Sequence, residues 1–264
     1  MIAILSPMEA EIKKTAEYFT SFKRSDENFR AVSSLGFGEI ERGGGERESV
    51  FLGVTGVGKV LTASAVQEVI TRLSPRYILF GGIAGGIAED LQTGALVIAE
   101  DAVQWDMDVS DGKIKKGRVP FLRPGGGIQK NGFVNLDSGL QAAAVSAAED
   151  VFEGRRISTA ATASGAEYSV QLRRGRVATG DTFLGGNAVH TKEKIRREFK
   201  ADIVDMEGWS AAGVCALNRT PLLLLRIVSD TIRGDRPKNM RKFIDYSSVI
   251  LAELFLEIAK SEED

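Results

Sequence analysis

The sequence predicts an α/β protein in which a mostly parallel mixed central sheet lies between two layers of helices, a three-layer αβα sandwich. Short apolar runs such as Ile2–Leu5, Val50–Val54 and Leu222–Val228 have the length and composition of buried strands. Amphipathic helix patterns separate these runs, and such alternation is typical of a parallel sheet. The 264 residues, 43% of them hydrophobic, can form one core. Neither a repeat nor a linker interrupts them, so we expect residues 1–264 to form a single domain.

The remaining elements follow from local signals in chain order. Ser6 is interpreted as a helix N-cap and Pro7 as the first helical position, opening a helix that extends to about Phe19. Residues 20–48 predict a hairpin with a glycine-rich tip, and residues 110–135 predict a long loop. The other strands are predicted at Tyr77–Phe80, Ala95–Gln104, Arg176–Thr179 and Ile203–Val204, and the other helices at 59–72, Gln141–Phe152, Thr191–Phe199, Glu207–Leu217 and Lys242–Ala259.

Composition excludes several classes of partner. A formal net charge of −2 gives no basic surface for nucleic acid or an anionic membrane. The single cysteine, Cys215, cannot form an internal disulfide, and the start of the chain lacks the basic region of a signal peptide, so we expect a cytoplasmic protein. His190, the only histidine, has no cysteine or carboxylate at metal-ligand spacing. We therefore expect neither a metal nor a cofactor.

Charged residues end the most apolar strand. Arg226, Ser229 and Asp230 follow the run Pro221–Leu225, and a buried guanidinium needs an anionic partner or a ligand. A second acidic group, Asp205–Glu207, stands where a short strand gives way to a helix. Ligands bind at the carboxyl ends of the strands in open α/β sheets. The sequence therefore predicts a binding site at this edge.

Two glycine clusters have different interpretations. Gly56-Val57-Gly58-Lys59 lies between a strand and a helix, where a phosphate cradle could form, but the full phosphate-loop pattern is missing. We therefore interpret it as a tight turn. Gly81-Gly82-Ile83-Ala84-Gly85-Gly86 has more glycines past a strand than one turn needs, which indicates close approach of the backbone to a ligand near Ala84 and Gly85.

Motifs along nearly the whole chain carry a family resemblance. They are the Met8-Glu9-x-Glu11 start, Gly56–Lys59, Phe80–Gly86, Gly94–Glu100, Asp106–Val109 preceded by Trp105 where a histidine usually stands, Thr179–Phe183, Asp205–Glu207 and Ser229–Asp230. In this order they resemble the nucleoside phosphorylase family, and within it the methylthioadenosine/S-adenosylhomocysteine nucleosidases. The resemblance implies a phosphorylase-like fold.

The resemblance also implies roles for individual residues. Asp230 matches the acid that protonates purine N7, Glu11 the carboxylate that helps activate the attacking water, and Arg226 an arginine near that water. Among the matched substrate-binding positions, one carboxylate holds the ribose hydroxyls, one methionine packs on the ribose and one aromatic ring stacks on the base. These three are Glu207, Met206 and Phe183, and the other matched positions are Met8, Ala84, Gly85, Leu184, Asp205 and Ser229.

Water is expected to be the nucleophile rather than phosphate. Phe80 and Ile83 stand where the phosphorylase branch has an arginine and a serine that bind phosphate, and apolar side chains cannot replace those donors. We therefore expect hydrolysis of 5′-methylthioadenosine or S-adenosylhomocysteine with release of adenine. The alternatives are a phosphorolytic purine nucleoside phosphorylase, a related hydrolase such as futalosine hydrolase, and a catalytically silent nucleoside-binding module. The joint presence of Glu11, Glu207 and Asp230 argues against the silent module.

The family habit of sharing residues across an interface suggests a homodimer. We expect residues 104–135 to help complete the partner's site, because this segment carries apolar Val119, Phe121 and Leu122. The alternative is a surface loop without a partner.

Overall fold

The computed structural model describes residues 1–25, 28–42, 45–109, 113–122, 127–129, 131–152, 171–185 and 188–261. The strands are β1 (Ile2–Ser6), β2 (Ser21–Lys23), β3 (Ser33–Glu41), β4 (Arg47–Val54), β5 (Ile78–Gly86), β6 (Leu96–Gln104), β7 (Phe121–Leu122), β8 (Ile128–Gln129), β9 (Phe133–Asn135), β10 (Leu172–Thr179), β11 (Ile203–Asp205) and β12 (Leu222–Asp230). The helices are α1 (Glu9–Ile12), α2 (Lys59–Leu73), α3 (Ser138–Phe152), α4 (Val189–Phe199), α5 (Gly208–Asn218) and α6 (Met240–Ser261), and a 3-10 helix covers Lys13–Tyr18.

Within the described residues, a ten-stranded sheet has the order β11-β10-β6-β12-β5-β1-β4-β3-β2, with β9 added to β6. The pairs β1–β4, β1–β5, β5–β12, β6–β10 and β10–β11 are parallel, and β6–β12 is antiparallel. Strand β11 also pairs antiparallel with β5, where Ile203 lies opposite Gly86 and Val204 opposite Gly85. The predicted mixed central sheet is confirmed, but β2–β3, β3–β4 and β6–β9 are antiparallel too, so parallel pairs do not outnumber antiparallel ones among the described strands. Part of the sheet closes into a ring of five strands.

Both faces of the sheet are covered, which confirms the three layers. On β1, Ile2 and Ile4 belong to the apolar cluster that includes residues of α3 and α6, while Ala3 and Leu5 belong to the cluster that includes residues of α2 and α5. All four side chains are fully buried. A strand with period-2 alternation and two covered faces reads as a continuous apolar run, which explains the sequence of β1. None of the described helices has the length and apolar character to cross a membrane.

The predicted start of the first helix is wrong. Ser6 is the last residue of β1, Met8 is extended (φ −129°, ψ 141°), and α1 begins only at Glu9. The Ser6 hydroxyl donates to Glu11 Oε2 at 2.8 Å instead of capping backbone N–H groups. After one turn the backbone tightens into the 3-10 helix. The strand-to-helix transition is therefore built around the Glu11 carboxylate.

The glycine cluster 81–86 lies within a strand and not after one, since β5 continues through Gly86. A Cβ on Gly81 would lie 2.5 Å from Phe255 Cζ, and one on Gly82 would lie 2.5 Å from Arg226 Nη1. Either substitution would force its neighbour to move. These glycines let the strand approach α6 on one side and a charged group on the other.

The predicted long loop at 110–135 is wrong in part. Strands β7 and β8 form a small antiparallel hairpin, and β9 pairs with β6. Phe121 packs edge-on against Trp209, with 5.7 Å between the ring centroids. Residues 110–112, 123–126 and 130 lie outside the described residues. This segment therefore packs on its own chain, a contact that composition could not reveal.

Candidate active site

A cavity of about 280 Å³ opens where β1, β5, β11 and β12 end. All the predicted substrate-binding residues line it, and so do Glu11 and Asp230, whereas Arg226 does not. The full lining consists of Pro7, Met8, Glu11, Val57, Ile83, Ala84, Gly85, Thr182, Phe183, Leu184, Val204, Asp205, Met206, Glu207, Ser229 and Asp230. The chain thus brings residues that are more than 200 positions apart to one edge of the sheet.

Arg226 lies beneath the cavity and is fully buried. Its Nε and Nη2 donate to Asp205 Oδ2 at 3.0 and 2.9 Å, and Nη2 lies 3.4 Å from Glu207 Oε2. Its guanidinium also lies 5.1 Å from the centroid of the Phe80 ring. Nη1 has no hydrogen-bond partner among the described residues. The position that a Cβ on Gly82 would take lies 2.5 Å from Nη1 and 2.9 Å from Glu11 Oε1, so Nη1 faces the Glu11 carboxylate.

The Asp205 carboxylate holds this arrangement together. Oδ1 accepts a 2.6 Å hydrogen bond from the Thr179 hydroxyl, and Oδ2 accepts from the Gly208 N–H at 2.9 Å as well as from Arg226. The side chain is only 1% exposed. With its oxygens engaged by protein donors, this carboxylate orients Arg226, and the Asp205 backbone is left to face the cavity.

Glu207 is a buried carboxylate with two protein contacts. The Gly58 N–H donates to Oε1 at 2.9 Å, and Oε2 faces Arg226. Burial raises the pKa of Glu207 to about 7, and the negative charges of Asp205 and Glu11 add to the rise, while Arg226 opposes it. Gly56 and Gly58 have φ angles of 81° and 97°, so the turn needs glycine to present this N–H. The interpretation of residues 56–59 as a turn agrees with this geometry.

Glu11 is 1% exposed and fully hydrogen-bonded to the protein. Oε2 accepts from the Ser6 hydroxyl at 2.8 Å and the Met8 N–H at 3.1 Å, and Oε1 accepts from the Ile83 N–H at 2.8 Å. Burial raises the pKa of Glu11 above its ordinary value, although Arg226 and the three hydrogen bonds act in the opposite direction. A raised pKa suits a group that takes a proton near neutral pH.

Asp230 has a partner that the sequence did not suggest. The Lys192 ammonium, 1% exposed on α4, donates to Asp230 Oδ2 at 2.6 Å. On the other oxygen, Ser229 Oγ lies 2.8 Å from Oδ1 and also 3.2 Å from the carbonyl oxygen of Ala84. Asp230 therefore lines the cavity while a buried lysine holds it from behind.

The mouth of the cavity is apolar. Phe183 is 80% exposed and lies beside Leu184 and Val57. The loops that carry these residues are tied together at Lys59, whose Nζ lies 2.8 Å from Asp106 Oδ1 and 3.4 Å from Asp181 Oδ2. Lys59 is thus paired with carboxylates, so it links the glycine turn to the neighbouring loops and does not bind phosphate.

Sequence reasoning missed three supporting side chains: Ser6, Thr179 and Lys192. Only Lys192 left a readable signal, because it falls on the same buried stripe of α4 as Ile195 and Phe199. A lysine at an apolar position of an amphipathic helix indicates a buried ion pair. Among the described residues, no group of three or more His, Cys, Asp or Glu side chains could hold a metal ion, and His190 is exposed.

Several known proteins with a similar sequence and fold are nucleosidases. The aminodeoxyfutalosine nucleosidase of Campylobacter jejuni is 27% identical over 98% of each chain. The 5′-methylthioadenosine/S-adenosylhomocysteine nucleosidase of Bacillus subtilis is 28% identical, also over 98% of each chain. The crystal structure of the corresponding Campylobacter jejuni nucleosidase has a TM-score of 0.81 at 26% identity and 99% coverage of both chains. That of the Neisseria meningitidis enzyme in complex with methylthio-immucillin-A has a TM-score of 0.77 at 26% identity and the same coverage.

The match extends to the level of a family profile. The profile of the phosphorylase superfamily matches residues 1–260, which is nearly the whole chain and includes every residue of the cavity. The resemblance drawn from the motifs is therefore confirmed. This chain belongs to the phosphorylase superfamily.

Proposed function

We propose that this protein is a nucleosidase that hydrolyses the N-glycosidic bond of a purine nucleoside, with 5′-methylthioadenosine or S-adenosylhomocysteine as substrate and adenine as product. The observation that carries the proposal is the set of carboxylates on one cavity: Glu11, Glu207 and Asp230 line it together. No lysine or arginine is among the residues that line it. Three carboxylates on one cavity suit a reaction in which positive charge develops on the sugar.

The leaving group is the first requirement of this reaction. Asp230 gives its proton to N7 of the base, so that the electron pair of the C1′–N9 bond passes into a neutral purine. General-acid catalysis of this kind contributes about 10²–10⁴-fold to the rate. The sugar passes through an oxocarbenium-like state, which nearby negative charge stabilises.

The two lining carboxylates near Arg226, Glu11 and Glu207, act on the water and on the sugar. Glu11 accepts a proton from the attacking water as its oxygen forms the new bond to C1′. The Arg226 Nη1 group, a buried donor without a partner among the described residues, faces Glu11 and is suited to orient that water. Glu207 accepts hydrogen bonds from the ribose 2′ and 3′ hydroxyls, and Met206 packs against the ribose.

The base is held at the mouth of the cavity. Phe183 stacks on its face and the Leu184 backbone contacts its edge, close to Ser229 and Asp230. The 80% exposure of Phe183 supports this role, because an exposed aromatic ring beside a cavity gains burial when a flat ligand arrives.

Water is the nucleophile because the cavity offers phosphate nothing to bind. Phe80 is fully buried, Ile83 presents an apolar side chain to the cavity, and Arg226 is engaged by Asp205 and faces two further carboxylates. Buried carboxylates would also repel a phosphate dianion. A phosphorylase is therefore the weaker candidate.

A nucleoside panel tests the proposal. Free base should appear at the same rate with and without phosphate from 5′-methylthioadenosine or S-adenosylhomocysteine, together with the free pentose. Aminodeoxyfutalosine and futalosine belong in the panel, because relatives of nearly equal identity are named for aminodeoxyfutalosine and for methylthioadenosine. A sugar 1-phosphate as the main product would replace the hydrolase by a phosphorylase. No base release from any nucleoside would contradict the proposed function.

We further infer that the protein acts as a homodimer in the cytoplasm. Val57, just before α2, and Val60 and Leu61 in its first turn are 46%, 74% and 53% exposed, and Met107 and Phe183 are further exposed apolar side chains. A partner that covers this surface would also close the cavity. Sedimentation of the wild type and a Val60→Glu variant tests the assembly, with dimer expected for the first and monomer for the second. The single, buried Cys215 suits a reducing compartment.

A further inference from the structure

The buried ion pair between Lys192 and Asp230 needs an explanation. The lysine is 1% exposed, and its Nζ lies 2.6 Å from Asp230 Oδ2. A lysine is rarely buried unless it is paired, and its ammonium has to be desolvated to reach this place. The rest of α4 does not need the pair for packing, because Ile195 and Phe199 already provide a buried apolar stripe. The cost of burying this ammonium therefore indicates a function for the contact.

The pair lies directly behind the cavity wall. A Cβ on Gly85 would lie 3.5 Å from Lys192 Nζ and 3.6 Å from Asp230 Oδ1, and Gly85 lines the cavity. Lys192 itself is not among the lining residues. It therefore reaches the substrate site through the Asp230 carboxyl group and not by touching a ligand.

The two oxygens of Asp230 have different surroundings. Oδ2 accepts from the ammonium and is unsuited to carry a proton there. On the other side, the Ser229 hydroxyl has one proton for two acceptors, Oδ1 at 2.8 Å and the Ala84 carbonyl oxygen at 3.2 Å. When that proton goes to Ala84, the Ser229 oxygen is free to accept a hydrogen bond from a protonated Oδ1. The geometry thus accommodates an acidic proton on Oδ1 alone.

We propose that Lys192 is the positioning residue of the general acid: its ammonium holds Oδ2, directs the acidic proton of Asp230 to Oδ1, and neutralises the carboxylate that proton transfer leaves behind. This rests on the proposed nucleosidase function. In the step itself the Oδ1–H bond breaks, the N7–H bond forms, and the C1′–N9 electron pair passes into the base. Lys192 stays protonated throughout, and Asp230 regains its proton from solvent after the base departs.

Three variants on α4 test this role. Lys192→Met removes the charge at similar volume, Lys192→Arg keeps it, and Lys194→Met is the matched control. Lys194 is 53% exposed, and its Nζ lies 3.9 Å from Glu198 Oε1. Exposed ion pairs of this kind contribute little to stability. Each variant is first checked by thermal melting. We expect Lys192→Met to lower kcat about 10²-fold with little change in KM. Lys192→Arg should recover most of this loss, and Lys194→Met should match the wild type.

The leaving group separates a role in proton delivery from a role in folding. An N7-methylated nucleoside already carries the positive charge, so its base leaves neutral without a proton. We expect Lys192→Met to cleave it at the wild-type rate, and to cause no further loss on the unmodified nucleoside when Asp230→Asn is already present. Equal losses on both nucleosides, or losses that multiply in the double variant, would overturn the proposal.

Two further outcomes also decide the matter. If wild type and Lys192→Met release base equally fast while Asp230→Asn is inactive, the proposed function stands and the role of Lys192 falls. If the wild type releases no base from any nucleoside, both fall. A change in the preference between 6-amino and 6-oxo purines, with kcat otherwise intact, would mean that Lys192 reads the base directly and would also overturn the proposal.

Discussion

Two buried charge clusters lie four residues apart along β12, and they differ in their ratio of charges. The cluster around Arg226 sets three carboxylates, Glu11, Asp205 and Glu207, around one guanidinium. The second cluster sets one carboxylate, Asp230, against one ammonium, Lys192. Both lie beneath glycines of β5 that leave room for them. The same strands therefore hold an acidic cluster and a neutral pair side by side.

The difference in charge ratio matches the difference in proposed chemistry. Burial raises the pKa values of Glu11 and Glu207, and the charges of Asp205 and Glu11 add to the rise at Glu207, so the first cluster can accept a proton from water or hydrogen bonds from a diol. Its negative charge also favours a sugar that becomes positive. With Asp230 protonated, the Lys192–Asp230 pair carries one positive charge, and it becomes neutral when Asp230 gives its proton to the base. One cavity can thus hold a proton acceptor and a proton donor that differ in the ratio of carboxylates to cations buried around them.

Removing the acid should have the largest effect. Asp230→Asn keeps the shape of the side chain but has no proton to give, so kcat for a purine nucleoside should fall about 10²–10⁴-fold. Base release and thermal melting would be measured together. The matched control is Asp235→Asn, an exposed aspartate just past the end of β12, which should behave as the wild type. More than about a tenth of the wild-type activity in Asp230→Asn would remove Asp230 from the role of acid.

An intermediate effect is expected at the acidic cluster. Glu207→Gln weakens the acceptor for the ribose hydroxyls, and losing a charged hydrogen bond costs about 1.5–3 kcal/mol, or roughly 10–100-fold in kcat/KM. Against a 2′-deoxynucleoside, which lacks one of the two hydroxyls, the loss should be smaller. Comparing kcat/KM for the two sugars measures this. Equal losses would mean that Glu207 does not bind the diol.

The last effect concerns stability and pH and not the rate of base release. Glu207 has a pKa of about 7 in the fold against an ordinary value of 4.5, so between these values the folded protein binds more protons than the unfolded chain. Its contribution to stability is fully present below pH 4.5 and is lost as pH rises through 7, a change of about 3 kcal/mol. Arg226, Asp205, Glu11 and the Gly58 N–H are the groups that face it.

Glu207→Gln should therefore unfold with a weaker pH dependence than the wild type. Relative to the wild type, the free energy of unfolding of the variant should rise between pH 4.5 and pH 8, as measured by urea denaturation. Glu9→Gln, at an exposed position of α1, serves as the control and should run parallel to the wild type. Parallel curves for Glu207→Gln would show that the cluster does not hold excess negative charge at this residue.

The strands could be predicted because their signals are local. The apolar composition of a run such as Leu222–Val228 is enough to predict a buried strand, and β12 covers that run and two further residues. The closure of β5 onto β11 could not be predicted, because pairing of Gly86 with Ile203 depends on contacts far apart in sequence. The predicted start of α1 was wrong for a related reason, because the Ser6 hydroxyl donates to the Glu11 carboxylate and does not cap the helix.

The residues of the site likewise fall into some that the sequence predicts and some that it does not. Glu11, Glu207 and Asp230 could be named from motifs, because their spacing to glycines and strand ends resembles that of a known family. The partners of the site carboxylates, Lys192 on Asp230 and Thr179 on Asp205, could not be named, because each lies on another element and is joined to the site only by folding. The position of Lys192 on a buried helical stripe was the one available signal.

In this scheme the Lys192–Asp230 pair acts on the leaving base, and the carboxylates around Arg226 act on the water and the sugar. The most direct test is the rate of base release from an N7-methylated nucleoside by two variants, Asp230→Asn and Glu11→Gln. Because this base needs no proton, Asp230→Asn should cleave it at close to the wild-type rate, while Glu11→Gln should be as impaired on it as on the unmodified nucleoside. Equal impairment of Asp230→Asn on both nucleosides would contradict the division of roles between the two clusters.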